Sequence, residues 1–80
     1  MEEDIYITRD EFLAGQQWYW QFGDLDIWYY DSNSNKIKQI IGGAGLEADI
    51  IELNTTEFTY QFPNEDLRSY PFNWLIQYNG

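Results

Sequence analysis

Apolar and polar residues alternate over short stretches along most of this 80-residue chain. That is the spacing of half-buried β-strands, whose successive side chains face opposite sides. The clearest stretch runs from Trp18 to Asp31: Trp-Tyr-Trp-Gln-Phe-Gly-Asp-Leu-Asp-Ile-Trp-Tyr-Tyr-Asp. A two-residue turn at Gly23-Asp24 makes it a hairpin, with Gly where a type II′ turn prefers it. In that register Phe22 faces Leu25, Trp20 faces Ile27 and Trp18 faces Tyr29, all on the face predicted to be core. The other face carries Tyr19 opposite Trp28, Gln21 opposite Asp26, and Tyr30 beyond them.

The flanking patterns extend this picture. Asp4-Ile5-Tyr6-Ile7 reads as an edge strand or an ordered tail, and Thr8-Arg9-Asp10-Glu11 as a capping box opening one or two helical turns that stop at Gly15. Phe12, on that helix, is placed to plug one end of the sheet. Ser32 to Asn35 is a turn, and Lys36 to Ile41 is a third strand with Ile37 opposite Tyr29, Gln39 opposite Ile27 and Ile41 opposite Leu25. Gly42-Gly43-Ala44-Gly45 is a flexible link. Leu46 to Asn54 and Glu57 to Phe62 form a second hairpin around Thr55-Thr56, pairing Leu53 with Phe58, Ile51 with Tyr60 and Asp49 with Phe62. Pro63 to Phe72, with both prolines, reads as a loop, and Asn73 to Tyr78 as a last strand. The expectation is one domain spanning 1–80: mainly β, a small antiparallel five- to six-stranded meander curled into a barrel or sandwich, with one short N-terminal helix.

Composition supports a closed form over a flat one. Four Trp, seven Tyr and five Phe would leave too much ring surface wet on a single layer. The formal net charge of −10 repels phosphate backbones and anionic lipid, so neither nucleic acid nor a membrane is an expected partner, whereas a basic protein is. The chain has no Cys and no His, which removes disulfides, thiolates and the commonest general base and metal ligand. No apolar run approaches the roughly 20 residues that span a bilayer. Met-Glu-Glu-Asp lacks the charge of a secretory leader, so the expected location is cytoplasmic, or secreted if a leader has been removed.

Candidate chemistry is sparse. Asp31-Ser32-Asn33-Ser34-Asn35 matches the first half of an EF-hand loop, but Lys36 replaces the required Gly and Gly42 the bidentate Glu, so the segment reads as a turn. The carboxylate pairs Asp24 with Asp26 and Asp49 with Glu52 lack a visible cleft to raise either pKa. No Lys accompanies the glycine run as in a phosphate loop, and Asn54-Thr55-Thr56 is a formal glycosylation sequon on a tight turn. The expectation is a non-enzymatic domain with no catalytic residues, metal or cofactor.

Phe12-Leu13-Ala14-Gly15-Gln16-Gln17-Trp18, a helical turn running into Gly and then Trp on the first core strand, resembles the start of lipocalin-like (calycin) domains. Ala48 to Phe62 resembles the late hairpin of short bacterial lipocalin-like proteins, and Trp74 to Tyr78 their closing strand. Gly15 and Trp18 are separated by two residues where the family signature has one, and the resemblance implies a reduced barrel. It also implies small apolar ligand binding, with Trp18, Trp20, Ile27, Tyr29, Phe58 and Tyr60 lining the cavity.

Read from the residues themselves, the leading expectation is an acidic interaction domain that binds or inhibits a protein partner, such as a basic nucleic-acid-binding protein. Its surface would be Tyr19, Trp28 and Tyr30 with Asp24, Asp26 and Asp31, backed by a carboxylate stripe through Glu47, Asp49, Glu52, Glu65 and Asp66. Carbohydrate stacking on Tyr19, Trp28 and Tyr30 is a further alternative. An open edge strand would allow a homodimer.

Overall fold

A computed structural model of the protein describes residues 5–21, 26–41 and 45–79. The Gly23-Asp24 turn, with Phe22, Asp24 and Leu25, and the 42–44 part of the glycine link lie outside the described residues. The elements in chain order are helix α1 (Arg9–Leu13) and strands β1 (Trp18–Trp20), β2 (Ile27–Asp31), β3 (Lys36–Ile41), β4 (Glu47–Leu53), β5 (Glu57–Gln61) and β6 (Arg68–Pro71). A 3-10 turn at Phe72–Trp74 then leads into β7 (Leu75–Gln77). All seven strands form one antiparallel sheet, in the order β6-β5-β4-β3-β2-β1-β7, that curls into a nearly closed barrel.

The parity of that sheet explains why closure stops short. Each of the seven strands is antiparallel to its neighbour, so the two end strands, β6 and β7, run in the same direction. Parallel strands need a crossover of about a dozen residues or more, and only Phe72–Trp74 connects these two. Side chains span the seam instead: Trp20 meets Tyr70 edge-on at 5.0 Å. On its other side β7 pairs with the N-terminal segment, through Ile7 N–H to the Leu75 carbonyl (3.0 Å) and Gln77 N–H to the Ile5 carbonyl (2.6 Å). This is the ordered tail the opening residues suggested.

Helix α1 closes one end. Thr8 and Glu11 exchange the two hydrogen bonds of the capping box, at 3.1 and 2.8 Å. The helix ends in a Schellman motif, with Gly15 N–H on the Phe12 carbonyl (3.1 Å) and Gln16 N–H on that of Glu11 (3.0 Å). Gly15 stands at φ +92°, a conformation that disfavours any side chain. Phe12 enters the barrel, fully buried against Trp18, Tyr30, Phe58 and Phe72 at 4.9 to 6.0 Å between ring centroids.

Three registers differ from expectation. Trp18 pairs with Trp28, not Tyr29, and Ile37 and Gln39 pair with Tyr30 and Trp28, not Tyr29 and Ile27. A one-residue shift exchanges the faces of a strand. Trp28 (2% exposed) and Tyr30 (8%) therefore lie in the core, while Tyr29 is half-buried beside Lys38 on the other face. A bulge at Ile27/Trp28 resets the pairing, so Ile27 is buried too but outside the main core cluster. In the second hairpin Leu53 pairs with Phe58 as expected, but Ile51 is the extra residue of a bulge. Ile50 takes its place opposite Tyr60, and Asp49 pairs with Gln61 rather than Phe62.

A further correction concerns the segment read as loop, where Arg68–Pro71 is a strand on β5. Pro71 is tolerated because β6 is an edge, and Arg68 and Pro71 together blunt that edge against further pairing. Asn54, in the formal sequon, closes the β4–β5 turn by accepting from the amides of Thr56 (2.9 Å) and Glu57 (2.8 Å).

The interior is filled with rings. Trp18, Trp20, Trp28, Phe58 and Tyr60 touch one another at 4.8 to 6.3 Å. Among the described residues, the buried indole N–H groups of Trp18 and Trp28 have no hydrogen-bond partner. Trp18 meets Trp20 edge to face (83°), a favoured geometry for aromatic pairs.

Candidate functional site at the barrel mouth

The end opposite Phe12 is where β1 and β5 finish and β2, β4 and β6 begin. There a cleft of about 270 Å³ is lined by Trp20, Trp28, Tyr60 and Phe62, with Leu46, Asp26, Glu65 and Arg68 completing it. The four rings form a connected floor: Trp20 touches Tyr60 at 5.5 Å, Tyr60 touches Phe62 at 5.9 Å, and Phe62 touches Trp28 at 5.7 Å. Trp20 continues this track into the seam through Tyr70, which meets Trp74 at 5.7 Å. Trp74 is 49% exposed.

One carboxylate of the cleft is held by a buried amide. Gln39, only 8% exposed on the core side of β3, donates from Nε2 to Asp26 Oδ2 and accepts the Leu46 N–H on Oε1 (3.1 Å). A buried side-chain amide is costly unless both ends are bonded, and here both are. The bonds tie the start of β2 to the start of β4 and orient Asp26. Burial pushes the Tyr60 hydroxyl above its ordinary range, with the Arg68 charge acting in the opposite sense. Burial also raises Tyr70, against a hydrogen bond with the Gln21 backbone that lowers it.

The residues expected to form one partner surface are dispersed. Trp28 and Tyr30 are core, Tyr19 is half-buried on the other face of β1, and Asp24 is outside the described residues. Asp26 is at the mouth. Asp31 accepts from Asn33 N–H (3.1 Å) and Ser34 Oγ (3.0 Å) and pairs with Lys38 at 2.9 Å, so the loop that resembled half an EF-hand is a turn. The carboxylate stripe is interrupted as well, because Lys36 lies 3.1 Å from Glu47 and 3.7 Å from Asp49. Of the residues expected to line a ligand cavity, Trp18, Trp20, Phe58 and Tyr60 share the core cluster, whereas Ile27 and Tyr29 do not.

Hydrogen bonds from Lys38 and then Ser34 hold the Asp31 carboxyl below its ordinary value of 3.8. A depressed carboxylate stabilises the fold above its unfolded pKa and loses that contribution as pH falls through its folded pKa. The Asp31 contribution is therefore intact at neutral pH and disappears only below about pH 4. Carboxyl titration by NMR should show Asp31 titrating below 3.8, and Lys38→Met should move it back toward that value.

Compared with known protein families, with curated proteins and with solved structures, the chain matches none. Among the described residues, no group of three or more Asp and Glu is placed to hold a metal ion, and no helix is long and apolar enough to cross a membrane.

Sequence reasoning missed Leu46, Phe62, Glu65 and Arg68 as a group. They sit at strand ends and in a loop, where neither the two-residue period nor a motif marks them. It also missed the exposure of Trp74, because the 3-10 turn breaks the alternation that assigned Trp74 to a strand face.

Proposed function

We propose that this is a non-enzymatic, acidic interaction domain that binds a basic protein partner at the barrel mouth. The observation that carries the reading is the cleft itself: aromatic walls with Asp26 and Glu65 among the lining residues, on a chain of net charge −10. Tyr and Trp dominate binding hot spots, and a strong negative field accelerates encounter with a basic partner and rejects acidic ones. The interior supports this over a deep ligand cavity, since the rings below the cleft fill the space that an enclosed apolar ligand would need. The nearly closed antiparallel sheet is compatible with the lipocalin-like resemblance, which in this reading concerns architecture alone.

The test is a titration with short poly-L-lysine, followed by tryptophan fluorescence at low and high salt, with poly-L-glutamate as control. Binding should weaken about tenfold or more at high salt and should fall with Phe62→Ala but not with Ile51→Ala on the outer wall. Binding that ignores salt, or that is equal for poly-L-glutamate, would refute the proposal.

A further inference from the structure

We infer that the mouth cleft is a pocket for one cationic side chain, a guanidinium or ammonium group, anchored by Asp26 and limited in affinity by Arg68. The inference rests on the basic-partner reading and names the group that enters.

Size is the first argument. At about 270 Å³ the cleft lies at the lower edge of the roughly 300 to 1,000 Å³ usual for small-molecule sites and has room for one long side chain. Its chemistry is the second. Rings line it, and a cation gains from lying against a π system as well as beside a carboxylate.

The buried Gln39 amide orients Asp26 at the mouth. A carboxylate fixed before binding spends less of the interaction on ordering than a free surface side chain does. Glu65 supplies a second negative charge. Arg68 lines the same cleft and takes no part in the ion pairs of the described residues, which use Lys36 and Lys38. Its positive charge opposes an incoming cation, so it sets affinity without supplying it.

The sign of the Arg68 effect separates this inference from its opposite, an anion site in which Arg68 is the anchor. The experiment is an NMR titration with N-acetyl-arginine amide, following the Trp20 and Trp28 indole N–H signals, with the neutral N-acetyl-citrulline amide and acetate as controls. Arginine amide should bind saturably and the two controls should not. Asp26→Asn should weaken binding about tenfold, the usual scale for losing a charged hydrogen bond. Arg68→Ala should strengthen it about threefold, as expected for removing one nearby, solvent-screened like charge.

Acetate binding that Arg68→Ala abolishes, or arginine binding that Asp26→Asn leaves unchanged, overturns the inference. Should Asp26→Asn lose its dispersed amide spectrum, Arg68→Ala decides alone, and unchanged or weaker arginine binding overturns it. If poly-L-lysine binds as proposed above while arginine amide shifts neither indole, the pocket fails and the basic-partner reading stands. If neither binds, both fall.

Discussion

Phe12→Ala should lower the stability of the domain by about 3 to 5 kcal/mol at 25 °C, read as a large fall in the midpoint of urea unfolding. The side chain is fully buried and meets four other rings, from β1, β2, β5 and the 3-10 turn. Truncating a buried Phe costs about 3 to 5 kcal/mol, transfer and cavity together. A domain of 80 residues has a total stability of only about 4 to 12 kcal/mol. Elements far apart in sequence share this one ring, so little of the cavity can close by local adjustment. Phe12→Leu, which retains most of the volume, should keep a cooperative transition at a lower midpoint.

The second large effect tests the register of the opening hairpin. Trp28→Ala should cost about 3 to 5 kcal/mol and Tyr29→Ala under about 1 kcal/mol, measured by urea unfolding. The register read from a Gly23-Asp24 turn, with Tyr29 facing Trp18, requires the reverse order. Trp28 is stacked 6.3 Å from Trp18, whereas Tyr29 is half-buried on the other face. Trp28→Phe refines the comparison. It keeps a ring while removing an indole N–H that has no partner among the described residues, so its cost should stay below about 1.5 kcal/mol.

These two residues also show how far the sequence could be read. Phe12 was legible because its signals are local: the capping box, the Gly15 stop and an apolar residue between them act within one helical turn. Trp28 was not. Strand pattern identifies which residues alternate, but the face that turns inward depends on the length of the connection to the preceding strand and on a bulge, and neither leaves a two-residue signature. Gln39 falls between these cases. Its inward position as a polar exception was visible in the alternation, but the partners that make it tolerable, Asp26 and the Leu46 amide, come from two other strand ends.

The candidate site follows the same division. Asp26 was singled out among the acidic residues, and Trp20 and Tyr60 among the aromatics, yet for different surfaces and with different roles. The cleft joins them because neighbouring strands alternate in direction, so the end of β5 and the starts of β2 and β6 arrive at one mouth although they are remote along the chain.

By itself, then, the sequence determined the mainly β class, the single short helix with both of its caps, the ring-rich core and the negative net charge. Each follows from local backbone preference, two-residue periodicity or simple charge. Tertiary structure alone decided which face of β2 is buried, that Arg68–Pro71 adds a strand, that the parity of seven strands leaves a seam, and that Trp20, Asp26, Tyr60, Phe62 and Arg68 meet. The physical reason is that register and closure are settled by the burial of whole faces against one another, a property that belongs to no single stretch of the chain.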